Sequence, residues 1–254
     1  MEYRLHEDLA PLGYATASDV TFTVDASGEA TKVSMKDEIT KTEVVKLDEG
    51  TKKPLAGAQL QVLEKDNENI VDEWTSSEDA HTITGLHVGK SYILREVDAP
   101  AGYHKAKDAV FTVKDTGDVQ HMEMIDKITK ITVEKQDADT GNPLEGAVLS
   151  VIDKESGKTV TIWRSTKEPH EIKGLVVGRS YILKENTAPS HYEKAEDIEF
   201  AVKEGQDVQE IIMKDEKTPI TSIKTGDETN MIAWIAVVIG AGIAAFVLYK
   251  KARQ

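Results

Sequence analysis

Polar and apolar residues alternate in short runs along most of the chain, and several runs carry a charged residue on their apolar side. From position 130, "KITVEKQD" sets Ile131, Val133 and Lys135 on one face. From 179, "RSYILKEN" groups Tyr181, Leu183 and Glu185, and from 208, "VQEIIMKD" groups Ile211, Met213 and Asp215. A period of two predicts half-buried β-strands. Further strands are predicted at "AVLSVIDK", "KTVTIWRS", "HEIKGL" and "DIEFAVK", parted by turn signals such as "DADTGNP", "DKESGK" and "KEGQD". Pro143 and Pro189 fall in turns, where a missing N–H does no harm. Several short strands with turn signals at regular intervals suggest an all-β sandwich.

The same pattern occurs one period earlier. At a shift of 89 residues Glu7, Glu96 and Glu185 coincide, as do Pro11, Pro100 and Pro189, and Tyr14, Tyr103 and Tyr192. Met35, Met124 and Met213 each precede an aspartate by two, at Asp37, Asp126 and Asp215. Lys46 matches Lys135, and Trp74 matches Trp163. A gapless period of this length predicts an array of like domains, at 39–127 and 128–216. Residues 1–38 read as the C-terminal fragment of a truncated earlier copy. That fragment has Glu7 and Asp37 but no lysine, and with its partner strands missing, Met1 to Asp37 is expected to be poorly ordered. "MEYRLHEDLAPLGYATA" has no apolar signal-peptide core, so an export signal is expected upstream.

The charged residues on apolar faces pose a chemical question. Side chains alternate across a strand, so Lys135, Glu185 and Asp215 are inward positions, as are Lys46, Glu96 and Asp126 in the first copy. A lone buried charge is very unfavourable, so the three must meet. One outcome is a buried salt-bridge cluster, which is a weak source of stability. The other is covalent. Burial lowers a lysine pKa and raises carboxyl pKa values, so a neutral amine can attack a protonated aspartic acid while the glutamic acid moves protons. Contact between amine and carboxyl supplies effective molarities of ~10⁵–10⁸ M. A Lys–Asp isopeptide bond between first and last strands would then staple each domain.

Composition sharpens this picture. The chain of 254 residues has no cysteine, which excludes disulfides, cysteine nucleophiles and zinc ribbons. The net charge of −14 argues against nucleic acid and against anionic lipid as partners. Met231 to Tyr249 is an uncharged apolar run, about long enough to cross a ~30 Å hydrocarbon core, and Lys250, Lys251 and Arg253 follow it. A transmembrane helix at 231–249 with a cytoplasmic basic tail at 250–254 is predicted, leaving the N-terminal bulk outside the cell.

The "E-x-x-A-P-x-G-Y" stretch at Glu96 to Tyr103, the lysine on the first strand, "P-L-x-G-A" after it and the final "M-x-D" together resemble the collagen-binding-protein B-type domains of Gram-positive surface proteins, also described as SpaA-like prealbumin folds. The resemblance covers 39–216 fully and 1–38 in part. It implies transthyretin-like or immunoglobulin-like β-sandwiches, and isopeptide bonds Lys46–Asp126 and Lys135–Asp215, assisted by Glu96 and Glu185. His191 departs from the pattern, standing where the turn usually has glycine. Residues 217–230, "KTPITSIKTGDETN" with its first residue Lys217, form a polar linker. Its order of pieces resembles a sortase sorting signal that keeps Thr225 and Gly226 but lacks the usual Leu-Pro. That resemblance implies sortase and peptidoglycan as partners, with cleavage between Thr225 and Gly226. Uncleaved, the protein would remain a single-pass membrane protein.

Other chemistry is sparse. "DADTGN" has Val148 where a calcium loop needs its bidentate glutamate, so a hairpin turn is expected. The seven histidines show no paired metal-ligand spacing, and no cofactor or metal is implied. Trp74 and Trp163 are expected in core or edge packing, and His81 and His170 on an exposed strand. The expected function is a cell-surface stalk, not an enzyme beyond single-turnover bond formation. The alternative expectation is that the repeats themselves bind host matrix or glycan, or serve as a minor pilus subunit.

Overall fold

The computed structural model describes residues 1–24, 26, 29–205 and 207–219, and the regular structure among them is all β. The expected transmembrane helix at 231–249, the basic tail and the Thr225–Gly226 pair lie outside the described residues. No helix among the described residues is long and apolar enough to cross a membrane.

The N-terminal segment holds β1 (Glu2–Leu5), β2 (Tyr14–Ala15), β3 (Val20–Thr23) and β4 (Glu38–Ile39). The first complete domain holds β5 (Lys41–Asp48), β6 (Gln59–Glu64), β7 (Ile70–Thr75), β8 (His81–Thr84), β9 (Ser91–Asp98), β10 (Tyr103–His104), β11 (Ala109–Thr112) and β12 (Val119–Ile128). The second holds β13 (Lys130–Asp137), β14 (Val148–Asp153), β15 (Thr159–Arg164), β16 (His170–Lys173), β17 (Ser180–Thr187), β18 (Ile198–Ala201) and β19 (Gln209–Asp215).

Each complete domain is two sheets. In the first, β10-β12-β5-β8 faces β11-β9-β6-β7; in the second, β16-β13-β19 faces β15-β14-β17-β18. Inward residues of both sheets make one core per domain: Val44, Ile83 and Met124 meet Leu60, Val62, Tyr92 and Leu94. Ile131, Val133, Ile172 and Met213 meet Leu149, Val151, Tyr181 and Leu183 in the second. Burying each large aliphatic side chain contributes about 1.5–3 kcal/mol, which is how so aromatic-poor a chain holds together.

The first and last strands of each domain lie side by side and parallel. Met124 pairs with Lys46 and Asp126 with Asp48 in β12 and β5; Met213 pairs with Lys135 in β19 and β13. Parallel neighbours cannot be joined by a hairpin, so the rest of the domain forms the crossover.

The N-terminal segment departs from the expectation of poor order. β1 pairs with β3 over four residues, Tyr3 stacks on Phe22, and β2 pairs with β4. The Ala17 N–H also bonds Glu7 Oε2 at 2.8 Å, and the Thr16 N–H bonds Asp115 Oδ1 of the next domain at 2.7 Å. The segment is thus held by local pairing and by a hydrogen bond to the neighbouring domain.

Candidate functional site

Strand alternation carries the charges inward. Along β9, Tyr92, Leu94 and Glu96 are buried while their neighbours are more exposed. β5 does the same with Thr42, Val44 and Lys46, and β12 with Met124 and Asp126. The second domain repeats it with Lys135, Glu185 and Asp215. In both triads every side chain is 0% exposed.

All six residues singled out by the strand pattern meet in these two clusters. Lys46 Nζ donates to Asp126 Oδ1 and lies 2.9 Å from Glu96 Oε1. Lys135 Nζ donates to Asp215 Oδ1 and lies 3.2 Å from Glu185 Oε1. The second oxygen of each glutamate is held by backbone: the Ala106 N–H donates to Glu96 Oε2 at 2.6 Å, and the Ala195 N–H to Glu185 Oε2 at 2.7 Å. Glu96 Oε1 and Asp126 Oδ2 are buried with no hydrogen-bond partner, as are Glu185 Oε1 and Asp215 Oδ2. The lysine–glutamate contacts are therefore close ion pairs without hydrogen-bond geometry.

Burial dominates the electrostatics. It pushes Asp126 up to about 7, against the pull of Lys46 and with a further push from Glu96. Asp215 is raised to about 6 for the same reasons, with Lys135 and Glu185 in those roles. A carboxyl in this range is protonated far more often near neutrality than an ordinary aspartate. An ionised carboxylate resists attack by an amine, whereas the acid is electrophilic.

The turn after each glutamate is preserved, including at His191. Its φ is 70°, close to the 87° of Gly102, so the departure from glycine leaves the turn and the Ala195–Glu185 bond intact. Two features escaped the strand pattern. Tyr192 Oη donates to Asp137 Oδ2 at 2.7 Å, and Asp137 Oδ1 accepts from the Asp139 and Thr140 N–H groups, so the acidic "DADTGN" stretch is a turn tied to the tyrosine. Trp74 stacks on His81 with ring centres 4.1 Å apart, and Trp163 on His170 at 4.3 Å. Both pairs were signalled by recurrence at the 89-residue period, but tyrosine and tryptophan columns alone do not say what they touch.

Comparison with known proteins places this geometry in context. The family model for the SpaA prealbumin-like fold domain matches residues 40–128 and again 129–217. A collagen adhesin of Staphylococcus aureus is 26% identical over 191 residues, covering 60% of this chain and 16% of that protein. Among solved structures, the Bacillus anthracis TIE protein is 25% identical with a TM-score of 0.44, covering 79% of this chain and 37% of that one. A C-terminal fragment of the pilus adhesin SpaC from Lactobacillus rhamnosus GG is 15% identical with a TM-score of 0.40, covering 72% and 99%. The chain thus spans well under half the length of the first two.

Proposed function

Since the chain belongs to the SpaA prealbumin-like fold family, we propose that it is the stalk of a Gram-positive cell-surface protein whose domains staple themselves. The supporting observation is the repeated triad: lysine, glutamate and aspartate with no solvent exposure, the amine already on the aspartyl carboxyl. A buried ion cluster adds little net stability, so a chemical role accounts better for building it twice.

The reaction balances within each triad. Transfer of one proton from Lys46 Nζ to Asp126 turns the buried ion pair into a neutral amine and acid. Nζ attacks Asp126 Cγ, and Glu96 takes the amine proton and returns it to the departing hydroxyl. A C–N bond forms, a C–O bond breaks, and one water leaves. Lys135, Asp215 and Glu185 act likewise. The glutamate Oε1 and aspartate Oδ2 atoms are buried and make no hydrogen bond, which leaves them open to take up the protons in motion.

The apolar run at 231–249 and the Thr225–Gly226 pair favour attachment at the cell surface, through sortase and peptidoglycan or through the membrane itself. A second reading rests on the similarity to a collagen adhesin, in which the repeats bind host matrix themselves. Intact mass tests the central claim. The folded chain should weigh two waters less than its sequence. Folded protein at the full sequence mass would leave only ion clusters.

A further inference from the structure

The two boundaries between repeats are built alike. At the first, the Thr40 N–H donates to Gly13 O at 3.0 Å, Thr40 Oγ1 donates to Leu86 O at 2.6 Å, and the Gly85 N–H donates to Thr40 O at 3.0 Å. At the second, the Thr129 N–H donates to Gly102 O at 2.9 Å, Thr129 Oγ1 to Leu175 O at 2.7 Å, and the Gly174 N–H to Thr129 O at 3.1 Å. Both threonines are 1% exposed. One buried threonine therefore ties the turn of one repeat to a glycine-bearing loop of the next.

The glycines in this contact are there for space. A Cβ on Gly13 would stand 2.7 Å from Gly85 O, and a Cβ on Gly102 would stand 2.7 Å from Gly174 O, both backbone atoms that cannot yield alone. Both have positive φ, a second reason to place glycine there. His191 separates the two causes. It holds the same turn at φ 70° with a full side chain, so the turn does not require glycine. What requires it at 13 and 102 is the approach of the next domain.

We propose that the glycine of the Ala-Pro-x-Gly-Tyr turn is the contact point of a rigid joint whose partner is another copy of the same domain. By the same rule the second domain, with His191, presents an end face closed to such a copy. A domain docked there as the second docks on the first would bring a carbonyl oxygen onto the His191 Cβ. The joint forms through backbone and threonine contacts and does not depend on the cross-links.

The absence of cysteine makes the test direct. Glu78→Cys and Lys167→Cys, exposed positions one period apart, carry nitroxides in the full chain, and pulsed electron resonance reads their distance distribution. The parent should give one narrow distribution. Gly102→Asn, which tolerates positive φ but adds a side chain, and Thr129→Val, which leaves the turn untouched, should each widen it about twofold or more. An unchanged circular dichroism spectrum and cooperative melting serve as the control that both domains still fold. Widths equal to the parent's in both variants would overturn the joint. An extra copy of residues 128–216 inserted after Glu216 should be loosely oriented on the second domain, and His191→Gly should narrow its distribution. A narrow distribution with His191 in place would overturn the closed end face.

Discussion

Glu96 Oε2 accepts the Ala106 N–H at 2.6 Å, so the segment after the Ala-Pro-x-Gly-Tyr turn holds one oxygen while the other faces Lys46. The carboxylate is oriented by the turn, which explains why glutamate and turn occur as one motif. Replacing Glu96 or Glu185 with Gln keeps the size and removes the proton carrier. Each single variant should regain one water in mass, and the double variant two. The effect on stability follows from topology. Each bond would close a loop spanning 80 positions, which in the chain-entropy view contributes roughly 4–5 kcal/mol. The domain that loses its bond should melt on the order of 20–30 °C lower, as read by calorimetry.

Mechanical response should change more than thermal response. β5 and β12 are neighbouring parallel strands at the two ends of the first domain, and a bond from Lys46 to Asp126 carries load directly between them. The residues between them are then shielded. Stretched as a single molecule, the parent chain should show no large release from either domain. Each Glu→Gln substitution should restore one unfolding event that frees about 260–290 Å of chain. Equal extension of parent and variants would remove the stapled stalk as a reading.

The uncross-linked double variant should also carry a distinctive pH dependence. Burial, the leading cause of the raised Asp126 and Asp215 values, persists when the glutamates become Gln. The parent's values of about 7 and 6 include a smaller push from the glutamates that Gln removes; burial still leads, so both aspartates stay raised above the ordinary 3.8 and the folded state binds protons more strongly than the unfolded state. Their contribution is therefore complete below 3.8 and lost as pH rises above it through the raised folded values. Denaturant midpoints should fall across that window, and the parent with its amides formed should lack this component. A midpoint that rises through the same window would contradict the assigned burial.

Strand alternation made the cores and both triads legible, because Leu94 and Glu96 obey the same period of two and an inward glutamate is conspicuous. Recurrence at 89 residues set the expected limits at 39–127 and 128–216, beside family-model matches at 40–128 and 129–217. The joints were not legible. Gly13 and Gly102 look like ordinary turn glycines, and only the carbonyls of Gly85 and Gly174, distant in sequence, reveal why a side chain is refused. The tie between Tyr192 and Asp137 was hidden for the same reason: the residues lie 55 positions apart and share no periodic pattern. The order of the N-terminal segment was also missed, since its support from Asp115 comes from the next domain.

That tyrosine tie leads to a last prediction, which differs between the two domains. Asp137 is held well below the usual carboxylate range, first by the Tyr192 hydroxyl, then by the Thr140 N–H, with Lys217 and the Asp139 N–H adding smaller pulls. Asp48, its counterpart, is lowered first by the Thr51 N–H and hydroxyl, and Tyr103 contributes less. Tyr192→Phe should therefore destabilise the second domain more than Tyr103→Phe destabilises the first. A depressed aspartate stabilises the fold above its ordinary value of 3.8 and loses that contribution as pH falls below it. The gap between parent and Tyr192→Phe should be full near neutrality and shrink below 3.8, as followed by the melting of the second domain. A gap that stayed constant through acid pH would mean that the tyrosine acts through packing and not through the carboxylate.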